Sequence, residues 1–410
     1  MQSQATFESL SIIEALRSGI PSRSVSRTFS QGRKEILGDL EGLLTRVKER
    51  EQGEGFVFQA EFGNGKTHLL NQIFDLALAR NFVVSKVVLN KETPLNQLHP
   101  LFQKVARNCF LPGQSLPGFD QPLSRMTLND PAVENLLIYA DSHLHPRLKI
   151  VLETLLRADE QYFHILYGDL QGDFMGSQIL KSIYRLTFRK AIRTPGLRKA
   201  DSQEIMDCFR FLTLLFKAMG YSGWVILFDE AELVQRHGPK ARIKAYLNLS
   251  HLMNLNDTLQ VPLLGIFAVA STYTLFVNAK NELENLPQRA AEEMDQEVSE
   301  TVRKVILRFL EARSLPDLSP GDYEEIAGQV ENLHGLAFGW KPQLDLSELL
   351  QIGTVERRVR TMVRGMVQRL DLTSLERPSE IEIQPIEDQF LEEEEGFFRA
   401  AHDDLDEDDS

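Results

Sequence analysis

A short glycine-rich segment of this chain has the residue types and spacing that bind phosphate. The run Ala60-Glu61-Phe62-Gly63-Asn64-Gly65-Lys66-Thr67 matches the P-loop pattern, except that Ala60 stands at the first glycine position. The glycines permit the torsions with which consecutive backbone N–H groups approach phosphate oxygens, and Lys66 would reach the β- and γ-phosphates of a nucleoside triphosphate. The Thr67 hydroxyl would be a ligand of Mg2+. We therefore predict that the residues from Ala60 to His68 bind the nucleotide.

An apolar run that ends in two carboxylates supplies the second half of such a site. Residues 224–230 read WVILFDE, a short buried strand followed by Asp229 and Glu230. Asp229 would hold Mg2+, directly or through water, while Glu230 would orient and deprotonate the attacking water. Two solvated acids at a strand end are the alternative, but the glycine segment favours a metal and water site. We predict Lys66 and Glu230 as catalytic residues and Thr67 and Asp229 as metal ligands.

Further polar residues are weaker candidates for contacting the transferred phosphate. Ser271 and Thr272 follow the apolar run Leu263–Ala270, where a hydroxyl would contact the γ-phosphate or the water, although hydroxyl residues also occur at ordinary strand ends. An arginine would stabilise charge on the transferring group. The arginine candidates are Arg289, Arg357 and Arg358. For the last two, the alternatives are a solvated helix face or contact with nucleic-acid phosphates.

Strands and helices that alternate along the chain must position these residues. Apolar runs of strand type occur at residues 56–60, 82–89, 224–228 and Leu263–Ala270, and helical patterns separate them. Such alternation predicts an α/β fold with a parallel sheet. The long interval between Lys66 and Asp229, helical in pattern from about residue 93 to residue 220, predicts a large helical insertion.

The sequence divides into four predicted parts. A helical leader covers residues 1–30, and a P-loop core, interrupted by the insertion at about 93–220, covers residues 31–295. A helical lid domain follows at 296–375. The tail at 376–410 is expected to be disordered, because its charge leaves little apolar surface to bury.

Composition excludes several classes of protein. Hydrophobic residues make up 42% and charged residues 25%, as in globular proteins, and no apolar run is long enough to span a membrane. The first residues lack the pattern of a signal peptide, so a cytoplasmic location is expected. Cys109 and Cys208 lie in no metal-binding motif. Nearly all of the net charge of −14 lies after residue 377. The rest of the chain is nearly neutral, so its charge does not exclude nucleic acid or another anionic partner.

With these motifs in hand, the chain resembles AAA+ ATPases of the replication-initiator and STAND-like signalling kind. Residues 29–44, FSQGRKEILGDLEGLL, look like the helix with which those proteins cover adenine. The chain is still more similar to the P-loop ATP-binding proteins of BREX-type bacteriophage-defence loci, the BrxD-like group, in EALRSGIPSR, AEFGNGKTHLL, GWVILFDEAELV and QVENLHGLAFGW. The resemblance implies ATP as the nucleotide and protein partners from a multi-component defence system. Ala60 and the acidic tail depart from the pattern.

Three functions are open at this point. The first is an ATPase motor or switch in a phage-defence or DNA-processing assembly. The second is a nucleotide-gated scaffold with little hydrolysis of its own. The third is a replication-initiator-like DNA-binding ATPase, which the acidic sequence after Leu370 disfavours. Double-stranded DNA is a further candidate partner, as is a second copy of the chain, whose Arg289 would reach across the interface.

Overall fold

The chain forms two compact units. The structure, a computed structural model, describes residues 4–193, 196–198, 201–256, 259–346 and 359–375. The smaller unit combines Met1–Gly32 with Asp317–Ser410, and the larger unit is Arg33–Pro316. The four-part division predicted from the sequence stays a prediction.

A mostly parallel sheet forms the centre of the larger unit. Among the described residues its strands are β1 (Glu54–Ala60), β2 (Val83–Val88), β3 (Cys109–Phe110), β4 (Trp224–Asp229), β5 (Leu263–Ala270) and β6 (Arg313–Ser314). Their order across the sheet is β3-β2-β4-β5-β1-β6, and only the pair β2 and β3 is antiparallel. The carboxyl ends of β1, β4 and β5 therefore lie at one edge of the sheet.

The apolar runs in the sequence correspond to the four longest strands. Every residue of β4 and β5 is buried. Because both faces of these strands are covered, their sequences are continuously apolar and do not alternate with polar residues. The prediction of an α/β fold is confirmed, and that of a parallel sheet is corrected at β3, which runs antiparallel to β2. Neither β3 nor β6 was predicted, because two residues are too few for a periodic pattern.

Helices make up most of the rest of the described chain. Those of the smaller unit are α1 (Gln4–Arg17), α2 (Arg23–Thr28), α16 (Pro320–Phe338) and α17 (Val359–Ser374). Those of the larger unit are α3 (Lys34–Arg50), α4 (Lys66–Ala79), α5 (Leu98–Arg107), α6 (Asp120–Leu123), α7 (Pro131–His143), α8 (Pro146–Leu155), α9 (Phe163–Leu170), α10 (Ser177–Phe188), α11 (Ser202–Ala218), α12 (Pro239–Leu252), α13 (Thr272–Ala279), α14 (Glu282–Glu293) and α15 (Gln296–Leu310).

One face of the sheet is covered by α3 and α4. Leu40 of α3 and Leu69 and Ile73 of α4 are fully buried in one apolar cluster with Phe58 of β1 and Ile266 of β5. Burying each such side chain stabilises the fold by about 1.5–3 kcal/mol. This packing fixes the start of α4 relative to β1, and hence the short turn between them.

The interval between β3 and β4 contains the helices α6 to α11, and a buried ion pair joins α8 to α9. Arg147 is 1% exposed and Asp169 is 3% exposed. The Arg147 Nε donates to Asp169 at 3.0 Å, and the Met175 N–H donates to the same carboxylate at 2.7 Å. Both charges are thus hydrogen-bonded, as buried charges must be if the fold is to remain stable.

The described part of the smaller unit has an apolar core and a polar network beside it. Ile13 of α1, Val330 of α16 and Met366 of α17 belong to the same buried cluster. Beside it, the Asp371 carboxylate accepts from the Arg17 Nε at 2.9 Å and from the Arg17 Nη2 at 2.8 Å, and it is 3.0 Å from the His334 Nε2. These bonds tie α1, α16 and α17 together.

No helix among the described residues is both long enough and apolar enough to cross a membrane.

Candidate functional site

The predicted glycine segment forms a tight turn between β1 and α4, here called the glycine loop (61–65). Gly63 has φ 81° and Gly65 has φ 93°, values that favour glycine because other residues would be strained there. Ala60 precedes this turn as the last residue of β1, paired with Ala270 of β5. Its backbone is strand, not left-handed, so a methyl group is accommodated where the pattern has its first glycine.

Lys66 begins α4 and extends into the glycine loop. It is 6% exposed, and its Nζ lies 3.3 Å from the Ala60 carbonyl oxygen and 5.7 Å from the centroid of the Phe62 ring. The first-turn N–H groups of α4 have no partner within the helix, and the helix dipole adds positive potential at the same place. The loop therefore combines a buried cation with backbone donors, which is the chemistry that binds phosphate.

Asp229 at the end of β4 meets Thr67 at the start of α4. The Thr67 Oγ1 donates to the Asp229 Oδ2 at 2.8 Å, although 162 positions separate the two residues in the chain. Asp229 is 2% exposed. The two predicted motifs therefore lie side by side at the carboxyl edge of the sheet, where open α/β sheets bind their ligands.

Glu230 leaves the strand in an unusual backbone conformation. Its φ of 62° and ψ of 38° are left-handed, and its N–H donates back to the Asp229 Oδ1 at 3.2 Å. Non-glycine residues rarely adopt this conformation, and those that do are frequent at functional sites. Burial raises the pKa of the Glu230 carboxyl and the nearby Asp229 carboxylate raises it further, whereas Lys66 lowers it.

A third carboxyl, Glu232, lies beside this pair and was not predicted. It is 4% exposed, in the 3-10 helix Ala231–Arg236, and its Oε2 has no hydrogen-bond partner among the described residues. Burial raises the pKa of Glu232 to about 8, and the Glu230 charge adds to the rise. The site therefore brings the carboxyls of Glu230 and Glu232 close to Lys66 and to Asp229.

The residues after β5 adjoin the glycine loop. The Ser271 N–H donates to the Ala60 carbonyl at 3.2 Å, the same oxygen that lies near the Lys66 Nζ. Thr272 begins α13, and its Oγ1 is buried without a partner among the described residues. An unpaired buried hydroxyl at this edge is suited to a polar ligand atom. Of the two sensor candidates, Thr272 is the one with a free buried oxygen.

The remaining predicted residues are less close to this arrangement. Glu61 is exposed, and His68 lies partly buried in the first turn of α4. Arg289 lies on α14 and pairs with Glu293 at 2.7 Å on the surface. Arg357 and Arg358, like the acidic tail, lie outside the described residues. All the site roles assigned from the sequence stay predictions.

Lys86 of β2, like Glu232, lies near the site and was not predicted from the sequence. Its Nζ donates to the Asn71 Oδ1 of α4 at 2.7 Å. Burial lowers the pKa of Lys86, and the Asp229 carboxylate on the neighbouring strand opposes that change. Lys86 therefore places a second positive charge near Asp229, in addition to that of Lys66.

The oxygen donors at the end of β4 fit a magnesium ion. A hydroxyl and a carboxylate, from Thr67 and Asp229, are the ligand types that Mg2+ prefers, and water normally completes its shell. Among the described residues, no group of three or more His, Cys, Asp or Glu forms a ready-made metal cluster. A cation held by one or two protein oxygens and by substrate phosphates does not require such a cluster.

The geometry defines an α/β protein with a glycine loop and an acidic strand end at one edge of its sheet. The family model described as BREX system ATP-binding protein BrxC/D matches residues 5–116 and 189–379. The matched ranges make up most of the chain, and the chain belongs to this family. The resemblance to the ATP-binding proteins of BREX loci is thereby confirmed. Comparison of the chain with curated protein sequences and with solved protein structures found no match.

Proposed function

We propose that this protein binds ATP with Mg2+ in a P-loop, AAA+-like core and hydrolyses it as a motor or switch. The observation that supports the proposal most directly is the 2.8 Å hydrogen bond between Thr67 and Asp229. It joins the residue after the P-loop lysine to the acid at the end of β4, the pair of groups that hold the metal in P-loop enzymes.

The glycine loop would bind the phosphates through its backbone. The N–H groups at the start of α4 are directed to the phosphate oxygens, and the Lys66 ammonium exchanges its weak contact with Ala60 for the β- and γ-phosphates. Thr67 and Asp229 would hold Mg2+, which neutralises charge on those phosphates when bound. The near-complete burial of Lys66 and Asp229 strengthens each of these interactions.

Glu230 would act as the general base for hydrolysis. Its carboxylate accepts a proton from a water, the water oxygen bonds to the γ-phosphorus, and the bond to the β-phosphate oxygen breaks to leave ADP and phosphate. The raised pKa of Glu230 makes the carboxylate a stronger base than an exposed glutamate, which suits this step. Thr272, with its unpaired hydroxyl, is suited to orient the γ-phosphate or the water.

Within this proposal the parts of the chain take the roles expected from the sequence. Residues 31–295 would form the ATPase core with its insertion at 93–220. Residues 296–375 would serve as a lid, of which α15 and β6 lie in the larger unit and the helices α16 and α17 lie in the smaller one. Family membership supports ATP as the nucleotide and a phage-defence system, with its other protein components, as the setting. Double-stranded DNA and a second copy of the chain are partners to be tested.

Steady-state phosphate release with ATP and Mg2+, with and without double-stranded DNA, tests the proposal. We expect turnover by the wild type and a loss of about 100-fold or more in Glu230→Gln, the scale of a lost general base. ATP affinity of that variant should stay within a few-fold of wild type, and Glu160→Gln, an exposed acid on the same unit, should behave as wild type. Equal turnover in wild type and Glu230→Gln would contradict the mechanism.

A nucleotide-gated scaffold is the second candidate, and one observation favours it. The segment between the two matched ranges, residues 117–188, presents the exposed apolar side chains of Ile138, Ile179 and Leu186. Exposed apolar side chains on a segment outside the family match are suited to contact a partner protein. ATP binding without turnover, even with DNA and partner proteins added, would support this function over the ATPase.

A further inference from the structure

Arg33 is a buried arginine at the start of the larger unit that no part of the site prediction includes. It precedes the first turn of α3 and is 4% exposed. A guanidinium withdrawn from water to this extent must be hydrogen-bonded, because the cost of burying an unpaired charge is several kcal/mol or more. Its hydrogen bonds therefore show which groups the fold requires it to hold.

Two of its nitrogens donate to backbone carbonyls that lie far apart in the chain. The Arg33 Nη1 donates to the Pro316 oxygen at 2.9 Å, and the Nη2 donates to the Asn64 oxygen at 3.0 Å. The guanidinium also lies against Gly65, where an added Cβ would be 3.5 Å from the Nη2. Because the group is planar and held at two points, its position next to the glycine loop is fixed.

The bond to Asn64 constrains the next N–H group as well as the carbonyl. A trans peptide is planar, so the carbonyl of Asn64 and the N–H of Gly65 point in opposite directions. With the carbonyl held by Arg33, the Gly65 N–H is directed away from the guanidinium. That N–H has no acceptor among the described residues, and Gly65, at φ 93°, needs a conformation that only glycine adopts easily.

We propose that Arg33 is a positioning residue which fixes the Asn64–Gly65 peptide so that the Gly65 N–H is held ready for a nucleotide phosphate. The inference rests on the proposed binding of ATP by the glycine loop. Arg33 touches no phosphate itself, because its contact is with the outer, carbonyl side of the loop. Its contribution is to keep the loop in the binding conformation before the ligand arrives, which reduces the ordering cost of binding.

Two measurements on Arg33→Met, Arg33→Lys and wild type test this role. The first is amide hydrogen exchange of the peptide covering residues 61–68 in the nucleotide-free protein. The second is the Kd for ATP with Mg2+. Arg313→Met is the matched control, since Arg313 is an exposed arginine of the same unit that pairs with Glu35 and Asp39.

We expect exchange in the glycine loop to accelerate and the ATP Kd to rise about tenfold or more in Arg33→Met, with neither change in Arg313→Met. Arg33→Lys should fall between, because one ammonium cannot hold both carbonyls in the same geometry. Arg33→Lys also tests the proposal if Arg33→Met does not fold. An unchanged loop exchange rate, or an ATP Kd within twofold of wild type in both Arg33 variants, would overturn the proposal.

Failure of the proposed function would look different. Wild-type protein that binds no ATP would contradict nucleotide binding by the glycine loop, whereas the exchange experiment needs no ligand. Accelerated loop exchange in Arg33→Met would then still support the positioning of the peptide, and unchanged exchange would refute it.

Discussion

Thr67 and Asp229 are joined by a hydrogen bond of 2.8 Å across an interval of 162 positions in the chain. The helices α5 to α11 occupy most of that interval, and yet the sheet brings the two residues together, because β4 and β1 both border β5. In the proposed site, this hydroxyl and this buried carboxylate would supply two oxygen ligands without any rearrangement of the backbone. The contact therefore carries the magnesium-site proposal and is the first to test.

Replacing Thr67 with valine keeps the side-chain shape and removes the hydroxyl. We expect kcat/KM for ATP to fall by about 100-fold, the scale of a single lost electrostatic contact in a site of this kind. The Mg2+ concentration for half-maximal turnover should rise, because one ligand is missing. Phosphate release measured across a magnesium titration checks both expectations.

The controls for this change are Thr67→Ser and Thr45→Val. Serine keeps the hydroxyl and should restore most of the activity, while Thr45 lies exposed on α3 and donates only within its own helix. The valine variant should also lose about 1–3 kcal/mol of unfolding free energy, since the buried Asp229 loses a donor. A Thr67→Val protein with the wild-type magnesium requirement would refute the assignment of Thr67 as a ligand.

Lys66→Met retains the apolar stem and removes the ammonium. Because this cation is buried beside the glycine loop, we expect the ATP Kd to rise about 10- to 100-fold, as for a lost charge-assisted hydrogen bond. The exposed Lys91→Met is the control for a change in net charge alone. Titration calorimetry with ATP and Mg2+ measures the difference, and equal affinities in the two variants would rule out a phosphate contact by Lys66.

The sequence was sufficient for those parts of the site that follow from local patterns. A glycine segment after an apolar run predicts the turn at Gly63 and Gly65, and continuous apolar runs predict β4 and β5 because both are buried on each face. The pairing of the two motifs was also predictable, since the carboxyl ends of parallel strands share one edge.

Residues whose role depends on distant neighbours were not predictable in the same way. Glu232 looks like an ordinary polar residue after a strand, but it is buried in the 3-10 helix that follows the left-handed turn at Glu230. Lys86 approaches Asp229 because β2 pairs with β4, and strand order is not encoded in any local pattern. Arg33 is likewise one basic residue among several until the fold brings it to Asn64.

The buried Glu232 makes the stability of the larger unit dependent on pH. Burial, and then the charge of Glu230, raise its pKa to about 8, above the value in an unfolded chain. The folded state therefore binds the proton more tightly than the unfolded state between the two pKa values. The stabilisation that protonated Glu232 contributes is fully present below the pKa of this glutamate in the unfolded chain. It is lost as pH rises through about 8, the pKa in the folded protein.

Glu232→Gln mimics the protonated acid and removes this titration. We expect the variant to unfold with a smaller decline in free energy between pH 5 and pH 9 than wild type. Denaturant unfolding at several pH values measures the slope, with the exposed Glu160→Gln as the control for lost charge. A wild-type slope in Glu232→Gln would mean that the glutamate is charged in the folded protein throughout this range. A slope that remains in the variant but is smaller than that of wild type would come from Glu230, whose pKa is also raised.

Asp371 gives the smaller unit the opposite dependence on pH. Burial alone would raise its pKa, but hydrogen bonds from Arg17 and His334 outweigh burial and leave the pKa lowered. The unfolded state then binds the proton of Asp371 more tightly than the folded state does. The stabilisation that the Asp371 carboxylate contributes is therefore present above the pKa of Asp371 in the unfolded chain, and it is lost as pH falls through the pKa in the folded protein. Asp371→Asn keeps the shape of the side chain and removes the charge that these donors bind.

We expect Asp371→Asn to reduce the stability of the smaller unit by about 1.5–3 kcal/mol at neutral pH, as for hydrogen bonds to a charged group. The difference from wild type should shrink in acid, where the wild-type carboxylate is itself protonated. Hydrogen exchange of amides in α16 reports this unit, because His334 of that helix contacts Asp371 and accepts from the Trp340 Nε1 at 2.9 Å. The exposed pair Arg289 and Glu293 offers a control in Glu293→Gln, which should leave α16 exchange unchanged. Equal α16 exchange in Asp371→Asn and wild type at neutral pH would show that the Arg17–Asp371–His334 network does not stabilise this unit.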